Sequence, residues 1–115
     1  MAQGVLTGKY RPGGDLPRDS RAANDAINGF INEAWLRPKA LEAVQALRPL
    51  AAEAGLTLAQ FALSWILRQP NVASAITGAS RPEQVDENAG ASGHAVAPEL
   101  FESAERIIGG AVPEI

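Results

Sequence analysis

The sequence predicts an α/β chain that is mostly helical in the residues present, and three neighbouring stretches predict it. Residues 72–77, Val-Ala-Ser-Ala-Ile-Thr, are short and mostly apolar, the pattern of a strand buried on both faces of a parallel sheet. Residues 57–69 before them carry helix-start signals and a broad apolar face, and residues 82–91 after them open on a proline and an acidic residue. Helix, strand and helix joined by short links make half of the repeating α/β unit.

Taken in order, residues 1–10 hold glycines at 4 and 8 and end in Lys9 and Tyr10. The glycines let the backbone turn tightly and approach a ligand closely. One lysine after such a stretch lacks the spacing of a nucleotide P-loop, and a flexible start with a solvated lysine fits the same residues. Residues 11–20, Arg-Pro-Gly-Gly-Asp-Leu-Pro-Arg-Asp-Ser, read as a loop. Ile27, Phe30, Ile31 and Ala34 recur at i, i+3, i+4 and i+7, predicting a short amphipathic helix weakened by Gly29, with Trp35 beyond it suited to packing on a neighbour.

Pro38 opens a helix over 38–54 whose apolar stripe is Leu41, Val44, Leu47, Leu50 or Ala51, and Ala54. Pro49 inside it removes one backbone hydrogen bond and predicts a kink or local irregularity rather than a clean break. Gly55 caps its C-terminus. Thr57 and Gln60 then have capping-box spacing, and Leu56 and Phe61 have hydrophobic-staple spacing. The helix they start, over 57–69, puts Leu58, Phe61, Ala62, Trp65 and Ile66 on one face, with Leu63 and Leu67 widening it, and Pro70 stops it. A final amphipathic helix spans 98–108, with Leu100 or Phe101, Ala104 and Ile107 or Ile108 inward, and ends at Gly109 and Gly110.

Composition excludes several functions. At 115 residues the chain is one domain at most, with room for a modest core. Ten Lys and Arg against 13 Asp and Glu leave a net charge of −3 with no basic stripe, so no nucleic-acid partner is indicated. The absence of cysteine removes disulfides, thiolate metal sites and a cysteine nucleophile together. His94, the single histidine, stands among Gly, Ala and Ser with no carboxylate partner nearby in sequence, so no metal ligand and no general base is assigned. There is no basic start leading into an apolar run and no apolar stretch long enough to span a bilayer, so no membrane partner is expected and a cytoplasmic location is.

The chemistry concentrates in residues 78–88. Gly78 and Ala79 form a small-residue turn, and Ser80, Arg81, Pro82 and Glu83 start a helix. Ser80 with Glu83 has capping-box spacing, while the restriction on residues preceding proline favours Arg81 as the cap. A helix N-terminus directly after a strand aims free N–H groups at the carboxyl edge of a sheet, where phosphate-bearing ligands bind. Arg81 adds a planar cationic fork, and Gln84, Glu87 and Asn88 share one helix face suited to a nucleotide base. The same pattern also describes a solvated surface helix.

Residues 74–91, Ser-Ala-Ile-Thr-Gly-Ala-Ser-Arg-Pro-Glu-Gln-Val-Asp-Glu-Asn-Ala-Gly-Ala, resemble the last strand and following helix of the aldo-keto reductases, NADP(H)-dependent oxidoreductases built on an eight-stranded (β/α) TIM barrel. Residues 57–80 are similar to that family's seventh helix running into its eighth strand, and residues 1–10 to the segment after its seventh strand. The resemblance implies a C-terminal fragment of the barrel, with residues 1–37 as cofactor loop and excursion and residues 38–115 as helices around the last barrel strand. It places Gly78, Ser80 and Arg81 at the adenosine phosphate of NADP(H) and Gln84, Glu87 and Asn88 around the adenosine. Ala2, Gln3, Leu6 and Lys9 match positions that contact the cofactor, and Ser20 and Arg21 look like a pair that closes over its pyrophosphate in some members.

The family's catalytic Asp, Tyr, Lys and His lie upstream of everything matched here, so no catalytic residue is assigned. Two readings follow. In the first, the chain is part of an NADP(H)-dependent aldo-keto reductase, retaining cofactor residues and lacking turnover alone, with a small carbonyl substrate belonging to the full-length family. In the second, it is an autonomous, mainly helical interaction module without catalysis. An isolated strand would leave rows of backbone groups unpaired, so self-association or partial disorder of the chain is expected.

Overall fold

The computed structural model describes residues 2–14, 16–20, 23 and 36–111. The helix expected over 27–34, and Trp35, lie outside the described residues. The chain opens on a 3-10 helix, Ala2–Thr7, and continues through helices α1 (Pro38–Ala46), α2 (Arg48–Glu53), α3 (Leu58–Leu67), α4 (Pro82–Ala89) and α5 (Pro98–Ile108). Proline opens α1, α4 and α5, where its missing N–H costs nothing, and Pro49 is the second residue of α2.

The irregularity expected from Pro49 falls at Leu47, between α1 and α2. Pro49 has no N–H to offer the Gln45 carbonyl and its ring crowds that oxygen, so the regular ladder lapses there. Leu47 itself keeps helical angles (φ −76°, ψ −19°), and the backbone continues without a reversal. Gly55 then ends α2 with φ +73°. Its N–H donates to the Ala52 carbonyl (3.0 Å) and that of Leu56 to Ala51 (2.9 Å), which is the Schellman arrangement. Between Pro38–Glu53 and Leu58–Leu67 the direction changes by 84°.

Helix α3 begins with the expected capping box: the Gln60 N–H donates to Thr57 Oγ1 (3.2 Å) and the Thr57 N–H to Gln60 Oε1 (3.0 Å). Leu56 and Phe61, the staple pair, both lie in the core cluster with Val5, Tyr10, Leu41, Val44, Leu47, Ala51, Leu58, Leu100 and Ala104. The Phe61 ring stands 5.5 Å from that of Phe101. Towards the end of α3, burial is less complete than the sequence suggests, for Ala62, Trp65, Ile66 and Leu67 are only half-buried. Trp65 carries the Arg68 guanidinium 4.5 Å above its ring, and Arg68 pairs with Glu105 of α5.

The strand expected over 72–77 requires correction. Residues 72–79 form no regular secondary structure, and no strand occurs among the described residues. Nor is the segment buried: Val72 and Ala75 are half-buried, the others are exposed, and Ile76 is 100% exposed. A strand acquires its burial from ladders on its edges and cover on its faces. Among the described residues the regular elements are all helices, so this segment has no neighbouring strand to pair with. The architecture is therefore helical, with α4 packed on α3 and contributing no buried residue to the core.

Candidate functional site

Two groups of side chains bear on a ligand. At the first, Arg81 is the N-cap of α4, with extended angles (φ −140°, ψ 148°) and no side-chain cap, as a residue before proline requires. This decides between the two caps considered from sequence. Ser80 is held instead by Gln84, whose Oε1 accepts from the Ser80 N–H (2.8 Å) and from its Oγ (3.2 Å). Glu83, at capping-box spacing from Ser80, remains exposed.

Arg81 Nη1 approaches Asp19 Oδ2 at 3.4 Å, and both side chains are mostly exposed, 61% and 76%. A pair so open to water holds weakly and exchanges partners readily. Ala79, Ser80, Arg81, Pro82, Val85 and Asp86 line a shallow, open concavity at this helix start. A guanidinium, a hydroxyl and the positive end of a helix dipole form a donor set whose chemistry fits a phosphate. Gly78 is exposed, with open space around the position a Cβ would take.

The remaining face of α4 is partly covered. Gln84, Glu87 and Asn88 are half-buried, while Glu83, Val85 and Asp86 are exposed. The Glu87 carbonyl accepts from Gln60 Nε2 of α3 (2.8 Å), which registers the helix against the core. Gln84 is directed back to Ser80 and so shapes the turn.

The second group surrounds the 3-10 helix. Val5 and Tyr10, each 1% exposed, anchor it in the core, and Leu6 packs against that core from a half-buried position. Gly4 and Gly8 take positive φ, +100° and +79°. The stem of Lys9 lies across Gly4, where a Cβ would meet Lys9 Cε at 2.9 Å. Lys9 itself is exposed, and its Nζ is 5.5 Å from the Tyr10 ring centroid. This segment is anchored rather than a flexible start. Ala2 and Gln3 belong to the 3-10 helix by their backbone, and Arg21 lies outside the described residues. Ser20 is 2% exposed, and its Oγ donates to the Pro17 carbonyl at 2.6 Å.

Sequence reasoning missed several participants. Asp19 was part of a loop without a role, and nothing local marks it as the partner of a side chain 62 positions later. Gln45 and Arg48 bond to the loop carbonyls of Gly8 and Tyr10, yet on a helix they read as solvated polar residues. The burial of Tyr10 had a signal, a lone aromatic closing a turn-rich stretch.

A helix start with anion-binding donors, placed after a short apolar segment, is a feature of α/β ligand-binding folds. Comparison with known proteins makes this specific: residues 1–108 match the Aldo/keto reductase family, and the chain belongs to that family. It is 47% identical over 88 residues to a probable voltage-gated potassium channel subunit beta of Arabidopsis thaliana, covering 76% of this chain and 26% of that protein. It is 40% identical over 90 residues to the L-glyceraldehyde 3-phosphate reductase of Escherichia coli strain K12, covering 76% of this chain and 25% of that protein. The chain thus spans about a quarter of the length of the curated relatives it matches.

Proposed function

We propose that this chain supplies the adenosine-phosphate side of an NADP(H) site in an aldo-keto reductase, and that it lacks the proton-donating machinery needed for turnover by itself. When bound, the cofactor supplies the hydride that reduces a small carbonyl compound. The part played by this chain is to hold and orient it. Arg81 and Ser80 take the 2′-phosphate with the N-terminus of α4, Gly78 lets the backbone pass close, and Gln84, Glu87 and Asn88 lie by the adenosine. Leu6 and Lys9 belong to the pyrophosphate side, to which the family resemblance also assigns Ala2, Gln3 and Arg21.

The observation that carries this reading is the convergence of Ser80, Arg81 and the start of α4 on one open concavity. Family membership supports the oxidoreductase assignment, and a relative named as a reductase is consistent with it. The burial of Tyr10, the single tyrosine, supports the lack of turnover, because a phenol at 1% exposure is not offered to a substrate. In this reading residues 72–79 complete a sheet whose other strands come from the remainder of a TIM barrel.

Titrating the protein with NADPH and with NADH by fluorescence tests the assignment. Arg81→Ala is expected to weaken NADPH more than NADH by a margin of about 1.5–3 kcal/mol, since NADPH alone carries the 2′-phosphate that the guanidinium engages. Equal losses for both cofactors would assign Arg81 to the solvated face. A second reading, an interaction module without catalysis, is favoured by the exposure of Ile76 (100%) and Val85 (57%). The two part on solution behaviour: an unpartnered segment brings self-association, whereas an autonomous module melts cooperatively as a monomer.

A further inference from the structure

Gly8 is held by groups that come from helices far along the sequence. Its carbonyl accepts from Gln45 Nε2 at 3.0 Å and from Arg48 Nη2 at 2.8 Å, so both lone pairs are engaged. Gln45 Nε2 also reaches the Tyr10 carbonyl at 3.3 Å, and Arg48 Nε donates to Gln45 Oε1 at 2.7 Å. The two side chains thus brace each other while holding the turn. They meet because they stand three residues apart at the α1–α2 junction, on one helix face.

The peptide planes held in this way bracket the Lys9–Tyr10 pair. Fixing the Gly8 carbonyl fixes the plane that includes the Lys9 N–H, and fixing the Tyr10 carbonyl fixes the plane between Tyr10 and Arg11. The stem of Lys9 lies over Gly4, where a Cβ would meet Cε at 2.9 Å. Gly8 is required twice over, by its φ of +79° and because a Cβ there would stand 2.5 Å from Arg48 Nη2. The fork of Arg48 consequently occupies space that only glycine leaves open.

We propose that Gln45 and Arg48 are positioning residues that clamp the Gly8–Lys9–Tyr10 turn and so aim the Lys9 ammonium at the pyrophosphate side of the cofactor. This rests on the cofactor reading above and adds to it two residues that touch no ligand. Charge alone does not suffice. The arginine fork satisfies Gln45 and Gly8 simultaneously from one plane, which a lysine ammonium at the same place does not.

The test compares NADPH with adenosine 2′-monophosphate, which carries the phosphate expected at α4 and has no pyrophosphate. Arg48→Ala and Arg48→Lys are each expected to weaken NADPH roughly tenfold, the loss of one charge-assisted hydrogen bond. Binding of adenosine 2′-monophosphate should stay within about twofold of wild type. Gln45→Glu keeps the acceptor for Arg48 and loses the donor to both carbonyls, so it should reproduce the split with little change in helix stability, covering the case in which Arg48→Ala folds poorly.

Full rescue by Arg48→Lys would overturn the clamp in favour of a purely electrostatic role, as would equal losses for the two ligands in a wild-type background that binds both. Failure of the wild-type protein to bind either ligand would overturn the cofactor reading, and the positioning role with it. That result is distinguishable from failure of the clamp alone.

Discussion

The turn at Gly8 and the segment at 72–79 both belong to the proposed cofactor site, and both are rich in glycine and small apolar residues, yet they are held in opposite ways. The first is fixed by side chains from α1 and α2, by the burial of Val5 and Tyr10, and by two positive-φ glycines. The second has no backbone partner along residues 73–79 among the described residues, and its largest apolar side chain faces water. Position is specified only where the chain also contains the partner.

The largest expected contrast concerns apolar side chains. Phe61→Ala removes a ring that is 2% exposed and stacked near Phe101, and should cost about 3–5 kcal/mol of unfolding free energy. Ile76→Ala, at 100% exposure, should move stability by no more than about 0.5 kcal/mol. Urea denaturation followed by circular dichroism checks both. Comparable losses would mean that residues 72–79 are packed in solution and that the contrast is false.

Glycine substitutions sharpen the same comparison on a smaller scale. Gly8→Ala forces a Cβ to within 2.5 Å of Arg48 Nη2 at φ +79° and should cost roughly 1–3 kcal/mol in thermal unfolding. Gly78→Ala has open space and no positive φ, so its stability should hold or rise by about 0.4–1 kcal/mol. Its effect is expected in ligand binding, where close backbone approach matters. A stability loss at Gly78 equal to that at Gly8 would break the distinction.

The smallest effect belongs to the contact that joins the loop to α4. Asp19→Asn removes an exposed partner of Arg81, and thermal stability should not change measurably. NADPH should bind more tightly by a factor of roughly two to five, because an anionic competitor for the guanidinium is gone. Weaker binding in that variant, measured by titration, would show that Asp19 supports the site.

What was legible in the sequence follows the same division. Thr57 with Gln60, Gly55, and the prolines at 38, 82 and 98 each fixed an element boundary, because caps and prolines act within a turn of their own position. The apolar stripe through Leu41, Val44, Leu47 and Ala51 was equally readable from its period, and these residues are buried. The state of residues 72–77 was not legible, since a strand is defined by neighbours that its own sequence does not contain. At the candidate site, Arg81 and Ser80 could be found from their place at a helix start. Arg48 could not, because its bond to Gly8 spans 40 positions and a polar residue on an amphipathic helix gives no sign of which carbonyl it will meet.

Gln60 joins α3 to α4 through one amide with two unlike ends. Its oxygen receives the Thr57 N–H, and its nitrogen gives a proton to the Glu87 carbonyl. A glutamate has the same outline and would still serve the first helix, but it would present an acceptor to an acceptor at the second. The side chain therefore acts as a polarity lock between the helices, and deamidation at this one position would remove the bond that holds α4 while leaving the cap beneath it intact.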